Sequence, residues 1–190
     1  MKKIILGLLA FVSFSSNAQE TEFKFINDKE KGFTDYVVGN IEGKTAQELY
    51  KKSLDWIAIT YKNPKEVIKA QIENDYIRIE GAKSNLLCIK SLGLLTCSDV
   101  RYQIEISFKD GKYKFDLTKL EQYNAPSQYS RGGWYEISLN DTSFCYKENG
   151  ELRSLYKLYP SAVEAEFNAL NTSLKDFLKS DAIPSKKSDW

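Results

Sequence analysis

Apolar and polar residues alternate most regularly on the two sides of Asp110-Gly111. The apolar positions are Ile104, Ile106 and Phe108 before this dipeptide, and Tyr113, Phe115 and Leu117 after it. Asp-Gly favours a two-residue type I′ turn between antiparallel strands. Such a turn pairs Phe108 with Tyr113, Ile106 with Phe115 and Ile104 with Leu117 on one buried face. The same register opposes Glu105 and Asp116 on the other face, which we expect to be in water.

A second alternation precedes this hairpin and predicts two further strands. Ile68, Ala70 and Ile72 alternate with polar residues, and Ile77 and Ile79 follow the turn candidate Asn74-Asp75. A two-residue turn there would pair Ile72 with Ile77 and Ala70 with Ile79, so that all the apolar side chains share one face. Residues 68–122 are therefore predicted to form a four-stranded meander, and 33–38 to form an earlier strand.

Two segments have the three- and four-residue spacing of amphipathic helices. The first begins with a capping box, Thr45 to Glu48, and ends before Asn63-Pro64 because the residue before a proline avoids the α region. The second, 161–178, follows Pro160 and opens with a similar sequence, Ser161 to Glu164. Its apolar stripe consists of Val163, Phe167, Leu170, Leu174 and Phe177. We expect this closing helix to dock beside the first one, on the same face of the sheet.

The N-terminus has the layout of a secretory signal peptide over residues 1–18. Lys2 and Lys3 precede a short apolar run, and a small polar stretch ends at Ala18. The predicted cleavage lies between Ala18 and Gln19, and the alternative is a buried N-terminal helix. The apolar run is too short to span a bilayer, so no transmembrane segment is expected in the mature chain. The predicted localisation is periplasmic or secreted, which disfavours cytoplasmic partners such as ATP, NAD and DNA.

The rest of the chain divides into a polar leader, one domain and a tail. The leader is 19–32, the single α+β domain is 33–178, and the flexible tail is 179–190. Within the domain, 123–160 is an irregular, aromatic-rich segment between the 33–122 core and the closing helix. The 172 residues left after cleavage at Ala18 are enough for one domain with a substantial core.

Composition argues against several kinds of chemistry. The chain has no histidine, so the usual general base near neutral pH and the usual zinc ligand are missing. Without Lys2 and Lys3, 25 basic residues face 26 acidic ones, which gives no basic surface that would attract nucleic acid. We therefore expect no cofactor, no metal site and no catalytic residue. The strand carboxylates Glu80, Glu105 and Asp116 point to water, where nothing raises the pKa as catalysis requires.

Three cysteines remain after signal cleavage, at positions 88, 97 and 145. Cys88 and Cys97 flank the plausible turn Ser91-Leu92-Gly93, so one hypothesis is a disulfide between them. The alternative is that all three are small buried apolar residues. The odd number leaves at least one thiol unpaired within the chain.

The segment around Gly132-Gly133 is the candidate ligand contact. Tyr129, Arg131, Trp134 and Tyr135 offer stacking surfaces suited to a sugar, peptide or lipid. The alternative is an ordinary tyrosine-rich edge packed on the core, because amphipathic aromatic residues often fill half-buried positions. Gly132-Gly133 precedes Trp134 and no capped helix, so it does not predict a phosphate site.

Four groups of residues together resemble a known family. They are 48–50, 56–57 with Tyr61, the strand 76–81 and the charged hairpin 108–113. In this order of elements they are similar to the domain of unknown function family DUF4468, whose members are mostly exported bacterial proteins. The resemblance covers about Phe33 to Gln122 and implies a TBP-like fold, a curved antiparallel sheet with two helices packed on one face. The family has no established activity, so the resemblance implies no catalytic residues.

Together these features predict a non-enzymatic binding or accessory module of the cell envelope. Its expected contact surface is the open sheet face with the 129–135 segment, and its expected partner is an envelope protein, peptide or glycan. The alternative is a carboxylate-dependent enzyme acting on glycan or peptidoglycan. A deep pocket with two carboxylates would favour the enzyme, whereas a shallow face without a perturbed carboxylate would favour binding.

Overall fold

The computed structural model describes residues 22–25 and 32–180. Within these residues, six strands and three helices follow one another: β1 Tyr36–Asn40, α1 Ala46–Thr60, α2 Pro64–Val67, β2 Ile68–Ile72, β3 Tyr76–Ser91, β4 Leu94–Lys109, β5 Lys112–Asn124, β6 Gly133–Glu136 and α3 Tyr159–Lys179. A short 3-10 helix, Ser154–Tyr156, precedes α3. The predicted signal segment, with Ala18 and Gln19, lies outside the described residues, as does 181–190 of the predicted tail.

The strands form one antiparallel sheet in the order β1-β5-β4-β3-β2, and β6 also pairs with β5. The predicted hairpin around Asp110-Gly111 is confirmed: Ile106 opposes Phe115 on one face, and Glu105 opposes Asp116 on the other. The register is local, because a two-residue turn fixes it and the buried apolar face prevents a slip. β1 pairs with the first half of β5 and β6 with its second half.

The predicted register of the β2–β3 hairpin is wrong by one residue. Ile77 opposes Gln71, and Ile72 opposes Tyr76. The cause is a three-residue connection in which Asn74 adopts a positive φ of 64°, instead of the two-residue turn expected at Asn74-Asp75. A one-residue shift in register moves a side chain to the opposite face of the sheet. Ile72 is accordingly 59% exposed, while Ile77 is buried.

Helices α1 and α3 pack side by side on the inner face of the sheet, as predicted. The capping box of α1 is confirmed: Thr45 Oγ1 accepts from the Glu48 amide, and the Glu48 carboxylate accepts from the Thr45 amide. Trp56 lies at the α1–α3 contact, where its indole N–H donates to Ser173 Oγ over 3.1 Å. This face buries Ile104, Ile106 and Phe115 completely.

The start of α3 differs from the prediction. The helix begins at Tyr159, and its N-cap residue Leu158 makes no side-chain capping bond, so the predicted Ser161 to Glu164 capping box is wrong. Pro160 fits the first turn because its missing N–H has no intrahelical role there, which lets the helix begin earlier. The Glu164 carboxylate instead accepts the backbone N–H of Phe25 over 2.7 Å.

The apolar stripe of α3 is rotated slightly from the predicted one. Val163, Phe167 and Leu174 are buried as expected, whereas Leu170 and Phe177 are only partly buried. Asn171 and Leu178 lie in the buried centre instead. Asn171 is polar, but its side-chain oxygen Oδ1 accepts a hydrogen bond from the Tyr113 hydroxyl over 2.8 Å. Each of these two buried polar groups therefore has a partner.

Gly81, which ends one of the family-like segments, has a packing reason. It lies opposite Tyr102 on the neighbouring strand. A Cβ at this position would come within 2.4 Å of the Tyr102 ring, so any side chain would displace it. The ring meets Phe167 of α3 edge-on at 5.2 Å between centroids, and its hydroxyl contacts that of Tyr61 at 3.2 Å. The glycine therefore makes room for an aromatic contact between the sheet and both helices.

Candidate functional site

The four predicted contact residues do not converge on one site. Trp134 and Tyr135 are successive residues of β6, so their side chains point to opposite faces of the sheet. Tyr129 is 90% exposed in a tight turn closed by hydrogen bonds between the Ser127 and Ser130 backbones. Arg131 is also exposed. The 129–135 segment thus provides separate exposed side chains and no shared surface.

Trp134 does belong to a cluster on the open sheet face. Its ring lies 5.3 Å from that of Tyr123, and the Arg101 guanidinium lies 5.0 Å from the indole centroid. Arg101 Nε also donates to the Glu121 carboxylate over 2.8 Å. Hydrogen bonding from Arg101 and then from Lys119 lowers the pKa of Glu121 below its usual range. The polar and aromatic groups of this cluster are partners of one another, and their contacts join β4, β5 and β6.

Charge pairing extends over the rest of the open face. Arg78 contacts Glu105 at 2.8 Å, Lys114 contacts Asp116 at 3.0 Å and Lys119 contacts Glu121 at 3.0 Å. Because each of these three cations lies against a carboxylate, charges of opposite sign alternate at these positions of the face. A nucleic-acid-binding surface needs cationic side chains that are available for phosphates. Here the basic side chains pair with carboxylates of the same protein instead.

A groove of about 560 Å³ lies along β5 between the ends of β1 and β6. Asp35, Asp116 and Glu136 line it, together with Lys119. Burial, and more weakly the neighbouring Glu105 and Asp35 carboxylates, raises the pKa of Asp116, although Lys114 acts in the opposite direction. This corrects the expectation that the strand carboxylates are fully solvated. Asp35 and Glu136 are exposed, however, so only one carboxylate of the groove is shielded.

Beyond Val100, strands β3 and β4 pair only with each other and extend as a hairpin arm, residues 84–98. A bulge at its base, where Asn85 has a positive φ of 55°, interrupts the register and bends the arm. Above the bulge, Cys88 lies opposite Cys97, and a disulfide joins them. Leu87 is buried, and Leu86 and Ile89 pack against the core, so the base of the arm is held by ordinary packing.

At the tip of the arm, by contrast, the apolar side chains are exposed to solvent. Leu92 is 100% exposed, Leu94 73% and Leu95 60%, the most exposed large apolar group in the described part of the chain apart from Tyr129. The two turn residues, Leu92 and Gly93, have φ of 49° and 82°. Both positive values are typical of a type I′ turn, which favours asparagine or glycine in the first position. A leucine there is strained and unburied at once.

Sequence reasoning identified the turn and a disulfide hypothesis but missed this apolar tip. A signal was present: residues 85–98 contain six aliphatic side chains and no acidic residue, in a chain that is 28% charged. The pattern does not alternate cleanly around the turn, so periodicity gave no reason to treat the leucines separately from the core.

In the described part of the chain, the third cysteine and the acidic residues form no metal site. Cys145 is buried, and its burial raises the thiol pKa to about 12, which makes it unreactive at neutral pH. Within residues 22–25 and 32–180, no group of three or more cysteine or carboxylate side chains is arranged to hold a metal ion. In the same residues, no helix has the length and apolar character needed to cross a membrane.

Comparisons with known proteins agree with this architecture. The family described as "Domain of unknown function (DUF4468) with TBP-like fold" matches residues 36–123. A DUF4468 family protein from Bacteroides ovatus superposes with a TM-score of 0.58 at 16% identity, over 83% of this chain and 91% of that one. A TBP-like protein from Parabacteroides distasonis gives 0.54 at 14% identity, over 76% and 91%. No relative was found among curated proteins.

The matched residues run from the start of β1 to the penultimate residue of β5 and include the whole hairpin arm. At these identities the two solved structures establish the fold and carry no information on activity. Residues 36–123 therefore match the DUF4468 family, and the sheet with helices on one face has a TBP-like fold.

Proposed function

We propose that this protein is an exported, non-enzymatic binding or accessory module of the cell envelope that makes its contact through the hairpin arm. The observation that carries the proposal is the tip, where Leu92, Leu94 and Leu95 are exposed at the end of a hairpin whose strands are joined by a disulfide. Folding gains nothing from these side chains, whereas an exposed apolar cluster commonly marks an interaction site. The signal-like residues 1–18 and the Cys88–Cys97 disulfide both suit an oxidising compartment outside the cytoplasm.

Cell fractionation tests the contact surface. In a bacterial host, the wild-type protein should be recovered in the envelope fraction. The variant Leu92→Gln/Leu94→Gln/Leu95→Gln should be recovered in the soluble fraction. The matched control is Ile59→Gln/Ile72→Gln, which removes two exposed isoleucines far along the chain from the arm. If the arm variant and the control fractionate like the wild type, the arm is not the contact surface.

Mass spectrometry of exported material tests the processing. Cleavage after Ala18 should give a mature chain beginning at Gln19. An intact Met1 on exported protein would contradict the predicted signal peptide and leave the compartment assignment without its main support.

A carboxylate-dependent enzyme acting on glycan or peptidoglycan is the second candidate, and Asp116 is the observation in its favour. Its raised pKa and its place in the β5 groove suit an acid–base role. If this candidate holds, purified peptidoglycan should release soluble fragments with the wild type and none with Asp116→Asn. Glu80→Gln, which alters a strand carboxylate that pairs with Lys69 outside the groove lining, is the control. Absence of fragments with the wild type would exclude that activity.

A further inference from the structure

The tip of the hairpin arm exposes a leucine on each of its two faces and a third leucine at its end. Leu94 and Leu95 are consecutive strand residues, so their side chains point to opposite faces of the arm, and Leu92 lies at its end. A protein partner that covers one face would leave the leucine on the other face in water. A medium that surrounds the tip satisfies all three side chains together.

The size of the tip leads to the same conclusion. Each partner in a stable protein–protein interface buries roughly 800 Å², and three leucines at the end of a two-stranded arm offer a small part of that area. Leu92 lies three residues beyond Ile89, the last residue of β3 that packs against the core, which corresponds to about 10 Å of strand. This distance of about 10 Å is long enough for the roughly 5–10 Å depth at which peripheral proteins bury apolar groups in a bilayer interface.

The charge distribution suits a lipid surface as well. No acidic residue occurs between Asn85 and Ser98, so the tip carries no carboxylate that a bilayer would have to accommodate. Lys90 is exposed and lies opposite Leu95. Its long side chain can hold the ammonium group at the level of the lipid headgroups while the neighbouring leucine enters the acyl region. Anionic headgroups would add an attraction at this position.

The backbone supports a functional reason for the leucine. Leu92 adopts a positive φ of 49° that asparagine or glycine would adopt at lower cost. Strained residues without a packing role are typical of functional positions. The disulfide between Cys88 and Cys97 ties the two strands below the tip, so the three leucines are presented together and lose little freedom when they insert.

From these observations we infer that the hairpin tip, Lys90 to Leu95, inserts into the interface of a lipid bilayer and holds the domain at a membrane surface. The inference rests on the proposed binding function of the arm and names its partner as lipid. The sheet, the helices and the groove remain outside the bilayer, where they are accessible to other envelope components.

Vesicle sedimentation tests the inference with the mature chain, residues 19–190. The probe is vesicles of phosphatidylethanolamine and phosphatidylglycerol in equal parts, compared with phosphatidylcholine vesicles. The wild type should sediment with both, and more strongly with the anionic vesicles. Leu92→Gln/Leu94→Gln/Leu95→Gln should lower the partition coefficient on the order of a hundredfold, because interfacial binding scales with the buried apolar area. Ile59→Gln/Ile72→Gln should bind like the wild type, and circular dichroism checks that every variant is folded.

A second measurement locates the tip in the bilayer. Leu92→Trp should show fluorescence quenching by lipids brominated on their acyl chains, whereas the control Ile59→Trp should show no more quenching than the wild type. If Leu92→Trp is not quenched, or if the triple variant binds vesicles as well as the wild type, the lipid inference is wrong.

The two proposals fail in different ways. If the wild type does not bind vesicles but the triple variant still loses its association with the envelope, the arm contacts a protein or another component, and only the lipid inference is overturned. If the triple variant also keeps its envelope association, the proposed role of the arm is wrong too.

Discussion

Strands β3 and β4 carry aliphatic side chains in two contrasting environments. In the part of these strands inside the sheet, Ile77, Ile79, Ile104 and Ile106 are fully buried beneath α1 and α3. Beyond Val100 these two strands pair only with each other among the described residues, and Leu94 and Leu95 are exposed. The isoleucines contribute to stability, since burial of each side chain is worth about 1.5–3 kcal/mol. The tip leucines make no comparable contribution, so an interaction with another molecule is the better reason for their presence.

The largest effect is expected from removal of α3, the helix that packs on the inner face of the sheet beside α1. A chain ending at Pro160 loses almost all of α3 and, with Glu164 and Asn168, the groups that bind the backbone of Phe23 and Phe25. The exposed inner face should make this chain insoluble or molten, because the apolar surface is then in water. A chain ending at Lys179 should fold normally. Soluble yield and thermal denaturation check both, and cooperative melting of the shorter chain at the wild-type temperature would show that α3 is not part of the core.

Two alanine substitutions compare the two environments directly. Phe115→Ala removes a fully buried ring and should lower the free energy of unfolding by about 3–5 kcal/mol. Leu95→Ala, at the exposed tip, should change it by less than about 0.5 kcal/mol. Urea denaturation of the mature chain measures both. A loss at Phe115 below about 1 kcal/mol, or a large loss at Leu95, would reverse the assignment of core and contact surface.

The disulfide is expected to have an intermediate effect. Replacement of Cys88 and Cys97 by serine should lower the free energy of unfolding by about 2–3 kcal/mol, the chain-entropy value for so short a loop. A reducing agent should lower the stability of the wild type by a similar amount and leave the double variant unchanged. If the reductant has no effect on the wild type, the bond does not link the strands in solution.

The smallest effect concerns two carboxylates on the open face of β5. The pKa of Asp116 is raised in the folded protein, mainly by burial. Ionisation of Asp116 therefore opposes folding: the cost is absent below the ordinary value of 3.8 and is fully present above the raised pKa. Asp116→Asn should accordingly gain in melting temperature relative to the wild type as pH rises from about 3 to 7.

Glu121 provides the matched control, because Arg101 lowers its pKa and its ionisation favours folding. Glu121→Gln should lose melting temperature relative to the wild type over the same rise in pH, because the stabilisation from ionised Glu121 is fully present above its ordinary value of 4.5 and declines below it. Parallel melting curves for the two variants at all pH values would mean that the two carboxylates have the same environment.

Much of the fold was predictable because its signals are local. The hairpin around Asp110-Gly111 and the Thr45 capping box each depend on a few neighbouring residues, and both are confirmed. The β2–β3 register was not, because asparagine at position 74 permits a positive φ and a three-residue connection. The Ser161 capping box failed for a similar reason, since Pro160 was equally suited to the first turn of a longer helix.

The candidate site was harder to predict than the fold. Tyr129, Arg131, Trp134 and Tyr135 are close in sequence, but the alternation of a strand separates Trp134 from Tyr135, and a turn carries Tyr129 away. Proximity along the chain was therefore a poor guide to a shared surface. The hairpin tip has no motif of its own, and its leucines have the same composition as those of the core.

The sequence by itself determined the elements whose causes lie within a few residues, namely the main hairpin, both long helices and the position of the turn at Leu92-Gly93. Only the tertiary structure decided which apolar residues are covered. Leu87 is buried and Leu92 fully exposed within six positions of the same hairpin, because the hydrophobic core extends to Leu87 at the base of the arm and does not include the tip leucines. Solvent exposure depends on neighbours distant in the chain, and for that reason the surface assigned here to binding emerged from the fold.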